Sequence, residues 1–368
     1  MTQRSKPPFR ADQVGSLLRS GPVKEARTKR ATGEMTPAQL KAVEDAEIKK
    51  LVAKQESIGL QGVTDGEFRR SWWHYDFLAK LDGVELVSVT QGLQFKGTET
   101  KAEGLHVHGK IDFSPSHPMI EHFRYLKSVA TQTPKMTIPS PTALHYRGGR
   151  QAIEKSAYAE MEPFFVDLGK AYTKAVRAFG EAGCTYLQLD EVFVAYLCDA
   201  AQRDYLRGRG DDPDKLLHTY ADLVNAACAG RTPGMTISMH LCRGNFRSTW
   251  MAQGGYEPVA DILFNKMNVD AYFMEYDTDR AGGFEPLRLL PKNKHVVLGV
   301  MTSKTGALES KDQLKRRIDE ASKFAALEQL CLSPQCGFAS TEEGNLLAEE
   351  EQWAKLSRCV EVAREVWG

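Results

Sequence analysis

Short apolar runs alternate along this chain with longer stretches whose apolar residues recur at helical spacing. The runs FRADQVGSLL (9–18), GLQGVTDGEF (59–68), KMTIPSP (135–141) and CTYLQLDEV (184–192) read as strands. So do MTISMHLC (235–242), DAYFMEYD (270–277), HVVLGVMTS (295–303) and CLSPQCGF (331–338). Between them, 36–59 carries Leu40, Val43, Ala46, Ile48, Leu51 and Val52 at helical spacing, with Gly59 placed as a stop. Further helices are expected near 157–182, 212–230, 256–267, 310–328 and 346–366. Eight strands alternating with helices predict an α/β fold of the (β/α)8 TIM barrel type. No Ser/Gly-rich linker interrupts 1–368, so one domain is expected.

Two segments break the rhythm. Residues 82–125 show Val/Thr alternation and glycine turns and predict an antiparallel, hairpin-like insertion after strand 2. His106 and His108 lie there at strand spacing, as an exposed hairpin face or a weak metal candidate. The charged, Gly-rich stretch 203–214 reads as a solvated loop.

Strand ends carry the candidate chemistry. Side chains at i and i+2 of a strand share a face, so His240 and Cys242 can reach one ion together. Alone, such a pair is equally a buried packing cysteine. Glu275 and Cys336 end two further strands, and two thiolates, an imidazole and a carboxylate suit Zn²⁺ rather than Mg²⁺ or Ca²⁺. In a barrel the C-terminal strand ends form one mouth. Ser16, Asp65, Glu67, Asp190, Glu191 and Asp277 would share that rim, with Asp65, Glu191 and Asp277 also serving as caps or loop residues.

Composition narrows the class. Lys+Arg 48 balances Asp+Glu 48, leaving no basic field for nucleic acid or membrane. No apolar run approaches membrane-spanning length, and Met1–Pro8 has no signal-peptide core. Seven scattered cysteines do not resemble a disulfide framework, so a reducing cytoplasm is expected.

VGSLLR (14–19), TDGEFRR (64–70), LQLDEV (187–192), HLCRGN (240–245), FMEYD (273–277) and SPQCGF (333–338), in that order, resemble the cobalamin-independent methionine synthase superfamily. The likeness is to its short, single-barrel members and to the catalytic half of the full-length enzymes. The resemblance implies a zinc-dependent methyltransferase that activates a thiol, homocysteine, as zinc thiolate and forms methionine. It implies metal ligands at His240, Cys242, Glu275 and Cys336. It implies that Gly15 and Ser16 hold the amino acid, and that Glu67 and Asp190 hold its ammonium group.

The chain departs from that pattern in three places. Full-length members carry a second barrel that helps bind folate, and this length holds one. After strand 7, Lys304 stands near a family histidine proposed as a proton donor. After strand 3, His145 and Tyr146 stand where the family has a folate-stacking tryptophan, while Trp72 and Trp73 offer another flat surface. The donor is therefore expected to be a methylcorrinoid, carried by a corrinoid protein, or methyltetrahydrofolate, with the corrinoid preferred. The alternative is zinc-dependent alkyl transfer to another thiol, as in epoxyalkane:coenzyme M transferase, for which Arg69, Arg70 and Arg243 are candidate anion holders. A non-catalytic metal-binding protein is a third class, against which a labile carboxylate ligand argues. The oligomeric state is left open, a homo-oligomer included.

Overall fold

The computed structural model describes residues 4–368; positions 1–3 of the Met1–Pro8 stretch, and of the domain expected over 1–368, lie outside the described residues. Among the described residues eleven strands are present: β1 (Gly62–Val63), β2 (Asp82–Ser88), β3 (Gln94–Phe95), β4 (Thr98–Glu99), β5 (Glu103–Asp112), β6 (Thr133–Pro139), β7 (Tyr186–Asp190), β8 (Thr236–Leu241), β9 (Ala271–Glu275), β10 (His295–Met301) and β11 (Leu330–Pro334). Seven form one parallel sheet in the order β1-β6-β7-β8-β9-β10-β11. Helices separate its members in sequence, which is why neighbouring strands run parallel.

The segment 9–18 does not form the expected strand. Its ladder is reduced to one parallel bridge, Ala11 to Leu332 on β11. Side chains take three further carbonyls: Lys135 donates to the Gln13 carbonyl, Gln188 to that of Val14 and Thr64 to that of Gly15. On its other side the segment meets the loop after β1 through Leu17 N–H to the Gly66 carbonyl, 3.0 Å. It therefore touches both edges of the curled sheet, with its backbone polar groups paired by means other than strand pairing.

Within 82–125, β2 pairs antiparallel with β5, and β3 with β4 between them. The excursion is shorter than expected, because Pro118–Val129 is a helix that buries Met119, Ile120, Phe123 and Leu126. The stretch 203–214 is likewise half helical: Ala200–Gly208 is a helix capped by Asp199, and Asp212 caps the next, Pro213–Cys228. Gly21–Ala31 is a further unexpected helix, polar except for Val23 and Ala26.

The outer helices pack as their spacing dictates. Along Met161–Glu181, Phe164, Leu168, Tyr172, Val176 and Phe179 form one stripe, each 0% exposed. Each such apolar side chain contributes roughly 1.5–3 kcal/mol relative to exposure. The helix Pro37–Ser57 starts on a Thr36/Gln39 capping box, and Gly59, at φ +97°, turns the chain out of it. A separate small cluster of Phe9, Val14, Tyr186, Phe273, Val297 and Cys331 lines the concave side of the sheet. No helix among the described residues is long and apolar enough to cross a membrane.

Candidate active site

Parallel register brings the candidate residues to one end of the sheet. Asp190 closes β7 and is the register partner of His240 on β8, while Glu275 closes β9. Cys242 follows β8 and Cys336 follows β11, so both thiols project from strand ends toward the same place. One ligand atom from each of His240, Cys242 and Cys336 lies within 4.8 Å of the other two. All three are buried, and neither ring nitrogen of His240 has a well-aligned hydrogen-bond partner. Buried polar atoms left unpaired in this way ask for a ligand, and soft thiolate and imidazole donors suit Zn²⁺. Contact with the Cys242 thiol and with His240 holds Cys336 well below the usual thiol range, while that same contact, with burial, pushes Cys242 up.

Glu275 falls outside this trio. Its Oε2 accepts the Arg243 backbone N–H at 2.6 Å, and its Oε1 pairs with Arg280 and with Lys304, 3.6 Å away. Burial would raise this carboxyl, but Lys304, Arg280 and Arg243 outweigh it and hold it down at about 2. Lys304 thus faces Glu275 and Asp277, the latter at 3.8 Å, and does not line the pocket beside the trio.

That pocket, partly open to solvent, joins the trio to Ser16, Glu67 and Asp190. Glu67 sits at φ +60°, a strained conformation for a residue with a side chain, in a turn where its N–H meets Asp65 Oδ1 at 2.9 Å. Its Oε1 accepts from Thr137 at 2.9 Å and lies 3.4 Å from Arg70, while its Oε2 has no partner. Burial pushes this carboxyl above the usual range. Burial and then the Glu67 charge push Asp190 up to about 7. Gly15, at φ +148°, passes so close that a Cβ there would lie 2.6 Å from Thr137 Cγ2. Only glycine lets the chain run between Ser16 and this carboxylate corner.

Of the flat surfaces expected, Trp72 and Trp73 line the pocket, with Trp72 stacked on Phe246 at 5.9 Å. Tyr146 does not: it stacks on Phe193 at 4.6 Å, donates to Gln202 at 2.8 Å and lines an adjoining groove. Its neighbour Arg147 reaches the pocket instead, because successive helical residues point about 100° apart. His145 turns away to Tyr220, 2.9 Å. Arg147, Tyr196, Asn245 and Phe246 are pocket residues that the sequence reading missed. Asp65 and Glu191 are local caps, Glu191 accepting from the N–H groups of Phe193 and Val194. His106 faces Glu85 and Glu154 on the hairpin, apart from the trio.

Residues 9–365 match the family model described as "Cobalamin-independent synthase, Catalytic domain". The uncharacterized protein YxjG of Bacillus subtilis is 54% identical over 99% of this chain and 96% of its own length. A 5-methyltetrahydropteroyltriglutamate–homocysteine methyltransferase of Bacillus velezensis is 25% identical over 96% of this chain, which spans 42% of that protein. Among solved structures, a Listeria monocytogenes protein described provisionally as a vitamin-B12 independent methionine synthase superposes with TM-score 0.80. It is 42% identical, over 99% of this chain and 100% of that one. A Shewanella B12-independent methionine synthase, 19% identical with TM-score 0.70 over 96% of each chain, shares the fold. With its family model matched from residue 9 to residue 365, this chain belongs to the cobalamin-independent synthase catalytic-domain family.

Proposed function

We propose that this protein is a methyltransferase that moves a methyl group onto the sulfur of homocysteine, giving methionine, with Zn²⁺ as its metal. The reading rests on one observation: the His240/Cys242/Cys336 trio and the carboxylates of Glu67 and Asp190 line the same buried pocket. A thiol-bearing amino acid has the complementary pair of groups.

His240, Cys242 and Cys336 would hold the metal, and Glu275, on the next strand and paired with Arg280 and Lys304, would be its fourth ligand. Zn²⁺, when bound, supplies a Lewis acid that lowers the pKa of the substrate thiol. Glu67 and Asp190 would take the ammonium group, whose charge favours the ionised form of two carboxyls that burial raises. Ser16 lies at the same end to receive the amino-acid carboxylate. Trp72, Trp73 and Phe246 wall the pocket and exclude water from the reacting sulfur. In the transfer the sulfur forms its bond to the methyl carbon as the donor's bond breaks, and the electron pair leaves with the donor. A methylcorrinoid is the preferred donor over methyltetrahydrofolate, because a methyl group leaves cobalt without protonation whereas a folate nitrogen needs an acid.

We read 9–18, which touches both sheet edges, as closing a (β/α)8 barrel, with the β2/β5 pair as its insertion and one domain as the functional unit. The free thiols suit a reducing cytoplasm. The alternative of a sulfonate-bearing thiol loses its candidate holders: Arg69 pairs with Glu44 and Asp45, Arg70 with Thr137 and Glu67, and Arg243 with the Gly254 carbonyl. The test is incubation of zinc-loaded protein with homocysteine and each donor, reading methionine by mass spectrometry. No methionine with either donor would refute the proposal.

A further inference from the structure

The segment 9–18 brings Val14 and Ser16 to the pocket on a ladder of one bridge, so other bonds must set where Ser16 stands. Two of them tie it to the rest of the site. On one side the Phe338 N–H donates to the Ser16 carbonyl at 2.8 Å, joining it to the loop that carries Cys336. The contact there is tight: a Cβ at Gly337 would lie 1.9 Å from Ser16 Oγ. On the other side Gln188 of β7 donates to the Val14 carbonyl at 2.7 Å.

Gln188 does more than pair a carbonyl. Its Nε2 also donates to Asp190 Oδ1 at 2.7 Å. One amide NH2 thus bridges the backbone two residues before Ser16 and the carboxylate that ends β7. The two side chains share a face of that strand, being two residues apart. A backbone carbonyl only accepts, so the amide nitrogen must be the atom that faces Val14. The Gln188 Oε1 is buried without a hydrogen-bond partner, and the residue is 0% exposed. An unpaired buried oxygen is unfavourable, so the two N–H bonds are what hold the side chain in this pose. Lys135 and Thr64, which take the neighbouring carbonyls, reach no carboxylate of the pocket; Lys135 meets Asp12 instead.

We infer that Gln188 is a positioning residue that holds Ser16 and Asp190 in register and so lets the site tell an L-amino acid from its mirror image. The inference rests on the proposed function, in which Ser16 takes the substrate's carboxylate, Asp190 its ammonium group and the trio its sulfur. Three points fixed relative to one another discriminate between enantiomers. The form that keeps its sulfur and carboxylate in place turns its ammonium group away if its α-carbon is inverted. Gln188 acts through two of these points without touching the substrate. Without its amide, Ser16 and Asp190 lose their fixed spacing, and the L form loses a fit that the D form lacks from the start.

The test uses the full zinc-loaded chain, with L- and D-methionine as probes followed by calorimetry. L-Methionine binding should weaken tenfold or more in Gln188→Met, which keeps the length and removes both donors. It should weaken further in Gln188→Glu, whose carboxylate faces the Val14 carbonyl and Asp190. D-Methionine binding should change less than threefold, so the preference for the L form falls with the L affinity. Zinc content should stay that of the unmodified chain. Unaltered L-methionine affinity in both variants overturns the inference. An equal loss for the two enantiomers also overturns it, since Gln188 would then support the fold and not the geometry of the amino acid. Failure of the proposed function shows separately, as an unmodified chain that binds neither enantiomer.

Discussion

Asp190 and His240 are register partners on adjacent parallel strands, so a carboxylate and an imidazole project side by side from β7 and β8. Neighbouring strands lie about 4.8 Å apart, which sets the spacing between the proposed ammonium-binding and sulfur-binding halves of the site. Asp190→Asn and Glu67→Gln keep shape and hydrogen-bonding capacity while removing charge. Each should weaken methionine binding by roughly 3–5 kcal/mol, the cost of leaving one partner of a desolvated ion pair alone. Zinc content should not change. Calorimetry showing unaltered methionine affinity in both variants would place the amino group elsewhere.

The raised pKa of Asp190, about 7, makes that binding pH-dependent. Below pH 7 the free protein holds a proton on this carboxyl, and an incoming ammonium group favours its ionised form. Methionine binding at pH 6 should therefore release a proton, and at pH 8 should release almost none. Methionine lacks a thiol, so the release reports the carboxylate alone. Repeating the titration in buffers of different ionisation enthalpy measures it, and Asp190→Asn should abolish it. Release persisting in that variant would assign the proton to another group, Glu67 first.

Metal retention separates the trio from the other cysteines. Cys242→Ser and Cys336→Ser should each lose most of the zinc, because a hydroxyl is a far weaker ligand than a thiolate at neutral pH. Cys331→Ser should retain it, since Cys331 lies in the concave apolar cluster with Phe9 and Phe273. Metal analysis of the purified variants decides; full zinc in both Cys242→Ser and Cys336→Ser would remove the metal reading.

Strand ends were legible in the sequence because β6 to β11 are buried runs bounded by polar residues, and a parallel sheet aligns their C-terminal ends. The trio followed from that alignment. The segment 9–18 misled because it is a buried run like the true strands, while its carbonyls at Gln13, Val14 and Gly15 are paired by Lys135, Gln188 and Thr64, side chains far along the chain. The helix Gly21–Ala31 has too little apolar surface to show a stripe. Pro118–Val129 did carry one, at Met119, Ile120, Phe123 and Leu126, and could have been found inside the excursion. Arg147, Tyr196 and Asn245 gave no signal, because loop and short-helix residues reach the pocket through tertiary packing alone. The state of Glu275 was equally hidden: its cations Arg280 and Lys304 come from loops that the spacing of the ligand motif does not mention.

Lys304 lies in a buried charge cluster with two carboxylates. It is 7% exposed, and its ammonium lies between Glu275 and Asp277, two buried carboxylates that otherwise share only Arg280. Lys304→Met should destabilise the metal-free protein by about 1–3 kcal/mol. That is less than the cost of orphaning an isolated buried charge, because Arg280 remains. The pKa of Glu275, depressed to about 2, fixes the sign of the pH effect. Its contribution is complete above the unfolded carboxyl's pKa of about 4.3 and fades as pH falls toward 2. The stability gap between Lys304→Met and the unmodified chain should accordingly be widest near pH 7 and narrow below pH 4, as measured by denaturant midpoints. As a group that sets the charge on Glu275, Lys304 should also affect turnover in the same proportion whether methyltetrahydrofolate or a methylcorrinoid supplies the methyl group. A collapse confined to the folate reaction, with stability unchanged, would make Lys304 the acid for the leaving nitrogen and folate the donor.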